Sequence, residues 1–365
     1  MSGSIETNSG RKSGTIGAKV AGPTISASDP TVTTNSTLGT QWANSTSGEF
    51  YVLTNATTDA NVWTNVGSGT GDIEPWKFQG TVSGYNAGGS SSSVSNVIDK
   101  FSFTSDANAT DVGDLTISRH NQAGQSSTTY GYTSGGEGGS TTNVIDKYSF
   151  TTDGNATDVG DLTLARKFVS GQSSENHGYT SGGNNSSGTQ QNIIDKFTFA
   201  SDANATDVGD MTVARYGGSG QSSTTHGYTS GGYSSASSPT TTNIIEKFTY
   251  ASDANATDVG DMSVARYYTS GQSSTAHGYT SGGLSTEDII DKFAFASDGN
   301  ATDVGNLTVG RHGGAGQSFT THGYCSGGND PHVNVIDKFP FASDTNATDV
   351  GDLTVSRDFP AGQQY

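Results

Sequence analysis

The sequence predicts an all-β protein assembled from six copies of one four-stranded unit, and three observations carry this. "NVIDKFSFTSDANATDVGDLTISR" at residues 96–119 returns in close copies near 143, 192, 243, 288 and 334. Gly-Tyr-x-x-Gly-Gly recurs at Gly84, Gly131, Gly178, Gly227, Gly278 and Gly323, a period of 45 to 51 residues. No segment has the 3.6-residue apolar period of a helix. Four strands repeated at about 40–50 residues form a β-propeller blade, whereas helical solenoids need that helical period and β-helices repeat at shorter intervals.

Within the unit, strand a is "GQSST", strand b "HGYTSGG", strand c "NVIDKFSF" and strand d "DVGDLTISR". In strand c, Val97, Asp99, Phe101 and Phe103 share one face and Ile98 takes the other, by the two-residue alternation of a strand. Apolar side chains on both faces require cover on both sides. The c–d connection "SDANATD" is a turn sequence whose Asp and Asn side chains can bond their own backbone. The first unit has strands b, c and d from about Gly84 to Arg119, but "KFQGTVS" makes a poor strand a. The chain stops after one further strand a, "DFPAGQQY", which is expected to complete the first blade and remove an exposed edge.

Composition narrows the function classes. Gly accounts for 51 of 365 residues, charged residues for 14%, and the net charge is −18. That balance excludes nucleic acid as a partner, since phosphate contacts need clustered Lys and Arg, and it disfavours anionic membranes. Cys325 is the single cysteine, so no disulfide forms within the chain; four sister repeats carry Thr there, and a packed side chain is expected. No apolar run reaches membrane-span length, and "MSGSIETNSGRKSG" has no secretory apolar region, which leads us to expect synthesis in the cytoplasm without membrane insertion.

Before the repeats, residues 1–30 read as an extended Ser/Thr/Gly-rich arm. Residues 31–75 read as a small β-module built on Trp42, Phe50, Tyr51, Val52 and Trp63, and residues 76–365 as the six-bladed propeller. The repeats resemble the kelch motif over about 76–365. The double glycine ending "YTSGG", the aromatic of "IDKFSF" and the Arg after strand d stand in kelch-like order. They depart from it where kelch units open strand d with Trp, since this chain has Val112, Val159, Val208, Val259, Val304 and Val350. That departure bars carrying over any kelch partner. The stretch "GTQWANSTSGEFYVLTNATTDANVWTNVGSGTG" is similar to short modules near the N-termini of tailed-bacteriophage virion proteins, particularly from marine and cyanobacterial phages. This resemblance implies a virion protein held in the particle through residues 1–75, with other virion proteins as partners and homo-oligomers compatible.

No catalytic, cofactor or metal site is expected. The turn "DANATD" resembles the start of a calcium loop, but no Glu follows at the required distance, and a self-bonded turn is expected instead. His177, His226, His277 and His322 occur once per unit with Tyr130 in the equivalent place, a pattern of packing rather than of a shared ligand set. The Arg of each unit and the Asp or Glu of "I-[DE]-K" also occur once per unit, so a buried Arg–carboxylate pair is expected.

Recognition is expected at the loops. From the Ile of strand c to the Asp of strand d there are always 13 positions, and from Arg to the Gln of strand a always six. The b–c connection varies instead, at 9, 9, 11, 13, 7 and 8 positions from the second Gly to the Ile. The d–a loops keep their length but read "HNQA", "KFVS", "YGGS", "YYTS", "HGGA" and "DFPA". In an antiparallel blade these two loop sets share one face, and variable loops on a fixed scaffold are where binding concentrates. The candidate binding residues are His120, Lys167, Phe168, Tyr216, Tyr233, Tyr267, Tyr268, His312 and Phe359, with the long loop Tyr233–Thr242. The expected partner is a host-surface glycan or protein, making the chain a tail-fibre or tail-associated attachment protein. The alternatives are a capsid or tail decoration protein, and a cell-surface carbohydrate-binding protein using Trp42, Tyr51 and Trp63 as stacking rings.

Overall fold

The computed structural model describes residues 22–67, 69, 72–74, 76–237, 240–284, 288–329 and 332–365. Residues 1–21 of the expected arm, and 238–239 of the long loop, lie outside the described residues. The chain divides into two compact units, 1–76 and 77–365. Every regular element among the described residues is a β-strand.

The first unit is a four-stranded sheet of β1 (Thr24–Ser26), β2 (Gln41–Asn44), β3 (Phe50–Asn55) and β4 (Val62–Asn65). Strands β2, β3 and β4 pair antiparallel, while β1 adds to β2 in parallel. The sheet thus begins before residue 31, inside the stretch read as an arm. Tyr51, Leu53 and Trp63 are its buried core, with Trp42 packed edge-on against Trp63 at 5.9 Å between ring centres. Ile25 and Leu38 stay exposed, so this small sheet builds its core mainly from its own aromatics. Tyr51 and Trp63 are fully enclosed, which corrects the reading of them as stacking rings for a sugar.

The second unit has a β-propeller-like all-β architecture. Its repeats form six antiparallel sheets of four strands in the order a-b-c-d. The second sheet is representative, with a at Ala123–Ser126, b at Tyr130–Ser134, c at Val144–Ser149 and d at Thr157–Asp161. In the first sheet the a position is filled by Ala361–Gln364, antiparallel to Ser83–Ala87. The segment before strand b does not take that place: Gly80 bridges in parallel to Phe319, and the Gln79 amide donates to the Ser273 carbonyl.

The core lies between sheets. Tyr132, Ile145 and Leu162 of the second sheet meet Phe197 and Ala205 of the third, and the same set recurs from sheet to sheet. Phe101, Phe103 and Ala109 of the first sheet pack on Tyr324, Ile336 and Leu353 of the sixth. This is why strand c is apolar on both faces: its Ile serves one interface and its two aromatics the other.

Polar side chains tie the same interfaces. The Gln125 amide donates to the Tyr179 carbonyl and Thr180 hydroxyl of the next sheet, and Gln363 does the same to Tyr132 and Thr133. The Arg after each strand d pairs with the carboxylate in the next strand c: Arg119–Asp146 at 3.2 Å, Arg166–Asp195 at 2.7 Å, Arg215–Glu246 at 2.7 Å, Arg266–Asp291 at 3.1 Å, Arg311–Asp337 at 3.0 Å, and Arg357–Asp99. All twelve groups are buried. A Thr or Ser three residues before the Arg donates to the same carboxylate, as Thr116 does to Asp146, so each buried carboxylate has a second donor besides the guanidinium. On the surface, Lys100 pairs with Asp153 at 3.0 Å and Lys338 with Asp106 at 2.5 Å, each joining neighbouring sheets.

Candidate functional site

The d–a loops are built around one backbone position. Asn121, Phe168, Gly217, Tyr268, Gly313 and Phe359 each stand two residues after the repeat Arg, and all six have positive φ, between 49° and 70°. Each donates its N–H to the carbonyl of the equivalent residue before it. Phe168 donates to Asn121 at 2.7 Å, Gly217 to Phe168 at 2.9 Å, and Tyr268 to Gly217 at 2.5 Å. Gly313 donates to Tyr268 at 2.8 Å, Phe359 to Gly313 at 2.6 Å, and Asn121 to Phe359 at 3.0 Å. The last bond returns to the first residue.

The left-handed conformation suits Gly and Asn, but a Phe or Tyr held there costs on the order of 1–3 kcal/mol, a pattern that concentrates at binding sites. Bulky and small residues alternate along the series. A Cβ on Gly217 would lie 2.8 Å from the Tyr268 ring, and one on Gly313 would lie 2.8 Å from that of Phe359, so three rings fill the space that six would need. Phe168, Tyr268 and Phe359 touch one another with ring centres 4.8 to 5.8 Å apart.

One residue earlier, the series His120, Lys167, Tyr216, Tyr267, His312 and Asp358 surrounds these rings. Each residue of it is tied to a neighbouring b–c loop or held beside one: His120 bridges to Glu137, Tyr216 to Tyr233, His312 to Asn329, and Asp358 to Ser90. Tyr216 and Tyr233 lie 5.3 Å apart, and Tyr233 and Tyr267 5.6 Å. Tyr268 stacks on His312 at 5.9 Å. Lys167 is bonded to Glu137 at 2.6 Å, while His120 lies 3.9 Å from the same carboxylate.

The structure therefore gathers Phe168, Tyr216, Tyr233, Tyr267, Tyr268, His312 and Phe359 into one continuous aromatic cluster, with His120 and Lys167 at its side. Two features went unread in the sequence. Tyr268 and Phe359 are not free loop residues but part of the hydrogen-bonded series, for which the glycines at two of the six positions were the available signal. Asp358, buried beside His120 and His312, was missed altogether because it reads as an ordinary exposed Asp.

Burial pushes the Asp358 carboxyl above the usual carboxylate range, while the nearby His332 and His120 pull it the other way. Burial likewise lowers His120. Below the rings, a cavity of about 100 Å³ is lined by the strand-a glycines and reaches Phe78. Above them, a recess of about 270 Å³ is bounded by Ser90, His120, Asn121, His312, Asp358 and the three rings.

The remaining candidates stand apart from this cluster. His177, His226 and His277 each sit beside the Tyr of their own strand, at 6.3 to 6.4 Å between ring centres, while His322 stacks on Phe319 at 6.4 Å. In the acidic turns, Asp111 accepts from the Gly113 amide at 3.1 Å, whereas Asn155 caps Asp114 of the neighbouring sheet and the first Asp is the partner of Lys. Cys325 is buried, its thiol 3.5 Å from the Ser270 hydroxyl. No group of His, Cys, Asp and Glu among the described residues could hold a metal ion. No protein-family model matches the chain, and no curated protein matches it.

Proposed function

We propose that this chain is a non-enzymatic virion protein of a tailed phage, displaying a six-bladed, kelch-like propeller whose d–a and b–c loops engage the host surface. Closure into six blades is supported by the pairing of Ala361–Gln364 with the first sheet, by the Arg357–Asp99 pair and by the returning series of loop hydrogen bonds. Residues 1–75 would hold the protein in the particle, in line with their resemblance to phage modules.

The observation that carries the recognition reading is the contrast between the two ends of the repeats. The c–d turns are near copies with their polar groups engaged between sheets, whereas the d–a loops differ in text and bring together six aromatic side chains, joined by Tyr233 of a b–c loop. Aromatic anchors of this kind dominate binding surfaces. The second reading, decoration of capsid or tail without a receptor, draws on the repetition of the c–d turns, which suits packing against a repeating lattice.

Particles carrying Tyr233→Ala with Tyr267→Ala would adsorb to host cells more weakly, with the melting temperature of the purified protein within a few degrees of the parent. Full adsorption by such particles would select the decoration reading. Particles assembled with a chain lacking residues 1–75 should not carry the propeller at all; normal incorporation would move the anchoring role to the repeats.

A further inference from the structure

We infer that the recess above the three rings binds one neutral sugar ring of a saccharide. This deepens the recognition reading by naming the ligand chemistry and the residues that would hold it. Two buried acceptors have no partner there: the Asp358 Oδ1, on a residue 7% exposed, and the Asn121 Oδ1, on a residue 5% exposed. His120 Nδ1 is also without a partner. Buried acceptors left unbonded are costly, and these line one recess, so a ligand that donates hydrogen bonds would satisfy both.

The recess of about 270 Å³ falls below the roughly 300–1,000 Å³ of a drug-sized site, which suits a single ring with part of a second outside. Its floor is Phe168, Tyr268 and Phe359, held on a backbone that Gly or Asn would occupy without strain. Apolar ring faces below and oxygen acceptors at the side match the C–H face and hydroxyl rim of a pyranose.

An alkylammonium ligand fits less well. The three rings touch one another, leaving no cage between them, and the Lys167 ammonium already stands 5.7 Å over the Phe168 ring. Anionic sugars would bring a carboxylate against Asp358. A neutral, hydroxyl-rich ring is what remains.

The test is saturation-transfer NMR on the full chain with the methyl glycosides of glucose, galactose, mannose and N-acetylglucosamine, with sialic acid and choline alongside. At least one neutral glycoside should show transfer. Its affinity should fall tenfold or more in Asp358→Ala and in Asn121→Gly, the latter keeping a residue suited to positive φ, with melting temperatures close to the parent. Transfer to no neutral glycoside, equal binding by both variants, or tighter binding of choline or sialic acid would each overturn the assignment. Because adsorption is read separately through Tyr233 and Tyr267, loss of adsorption without sugar binding would sink the saccharide alone. Sugar binding with adsorption intact would sink the host-attachment reading alone.

Discussion

Arg357, in the last repeat, forms a buried ion pair with Asp99 of the first, and Thr354 donates to the same carboxylate at 2.7 Å. The pairing is that seen between the other neighbouring sheets, so the first and last repeats meet through the same buried contact. Removing one partner strands the other charge in a dry interface. Arg357→Met should therefore cost about 3–5 kcal/mol, and the double variant with Asp99→Leu should recover most of it. Urea unfolding of the two single variants and the double gives the coupling; a single variant as stable as the parent would show that the junction opens in solution.

Deleting Asp358–Tyr365 removes more than one strand. Gln363 bonds across to Tyr132, Tyr365 stacks on Phe150 at 5.4 Å between ring centres, and the Tyr365 carbonyl accepts from the amides of Thr81, Val82 and Ser83. The truncated chain should aggregate or melt many degrees lower, because an inner strand edge is left unpaired. A melting curve that overlays the parent's would refute this.

Gly171 and Gly316 mark how closely the a strands approach. A Cβ on Gly171 would stand 2.2 Å from the Gly124 carbonyl oxygen, and one on Gly316 would stand 2.0 Å from that of Gly271. The obstacle is backbone and cannot rotate away, so Gly171→Ala and Gly316→Ala should each destabilise by several kcal/mol, on the scale of severe overpacking. Calorimetry of either variant decides it.

Acidification should weaken the fold through four histidines. Burial, then the adjacent Lys196, Lys247, Lys292 or Lys338, lowers His177, His226, His277 and His322, against a smaller opposing pull from Asp253, Asp298, Asp344 or Asp106. Below about pH 6.5 the unfolded chain binds protons that the folded chain does not, so this contribution to stability rises with pH. It is fully present above the unfolded value and declines as pH falls below it. Replacing all four by Tyr, the residue at position 130, should flatten the urea midpoint between pH 7.5 and 5; an unchanged slope would place the titrating groups elsewhere.

Chelation should leave stability alone. In the first turn, Asp106 is already paired with Lys338 and Asp111 with the Gly113 amide. A melting temperature that drops by many degrees in EDTA and returns with calcium would contradict this.

The strands, their spacing and the Arg–carboxylate pairs were legible because each is written six times, and repetition separates a constraint from an accident. Features written once were not, and one repeated residue was missed as well. Thr24–Ser26 is three residues without apolar pattern, and it becomes a strand only because β2 offers an edge. Trp63 and Tyr51 look like ligand aromatics until one counts how little else that sheet can bury. The Lys of "IDKF" carried no expected role, since its Asp lies one repeat away in sequence. The recess was invisible for a related reason: His312, Asp358, His120 and Asn121 come together through loops whose shared backbone shape is spelled by Asn, Phe, Gly or Tyr alike.

That shared shape makes the loop series a frame with interchangeable inserts. Because each d–a backbone is bonded to the one before it, an inserted residue in any of them would have to displace two neighbours, whereas a changed side chain at 120, 167, 216, 267, 312 or 358 disturbs none of those bonds. Six addressable positions on one fixed frame amount to a combinatorial surface. A library randomised there should yield folded chains with altered binding tastes at high frequency, while libraries that lengthen the same loops should yield few.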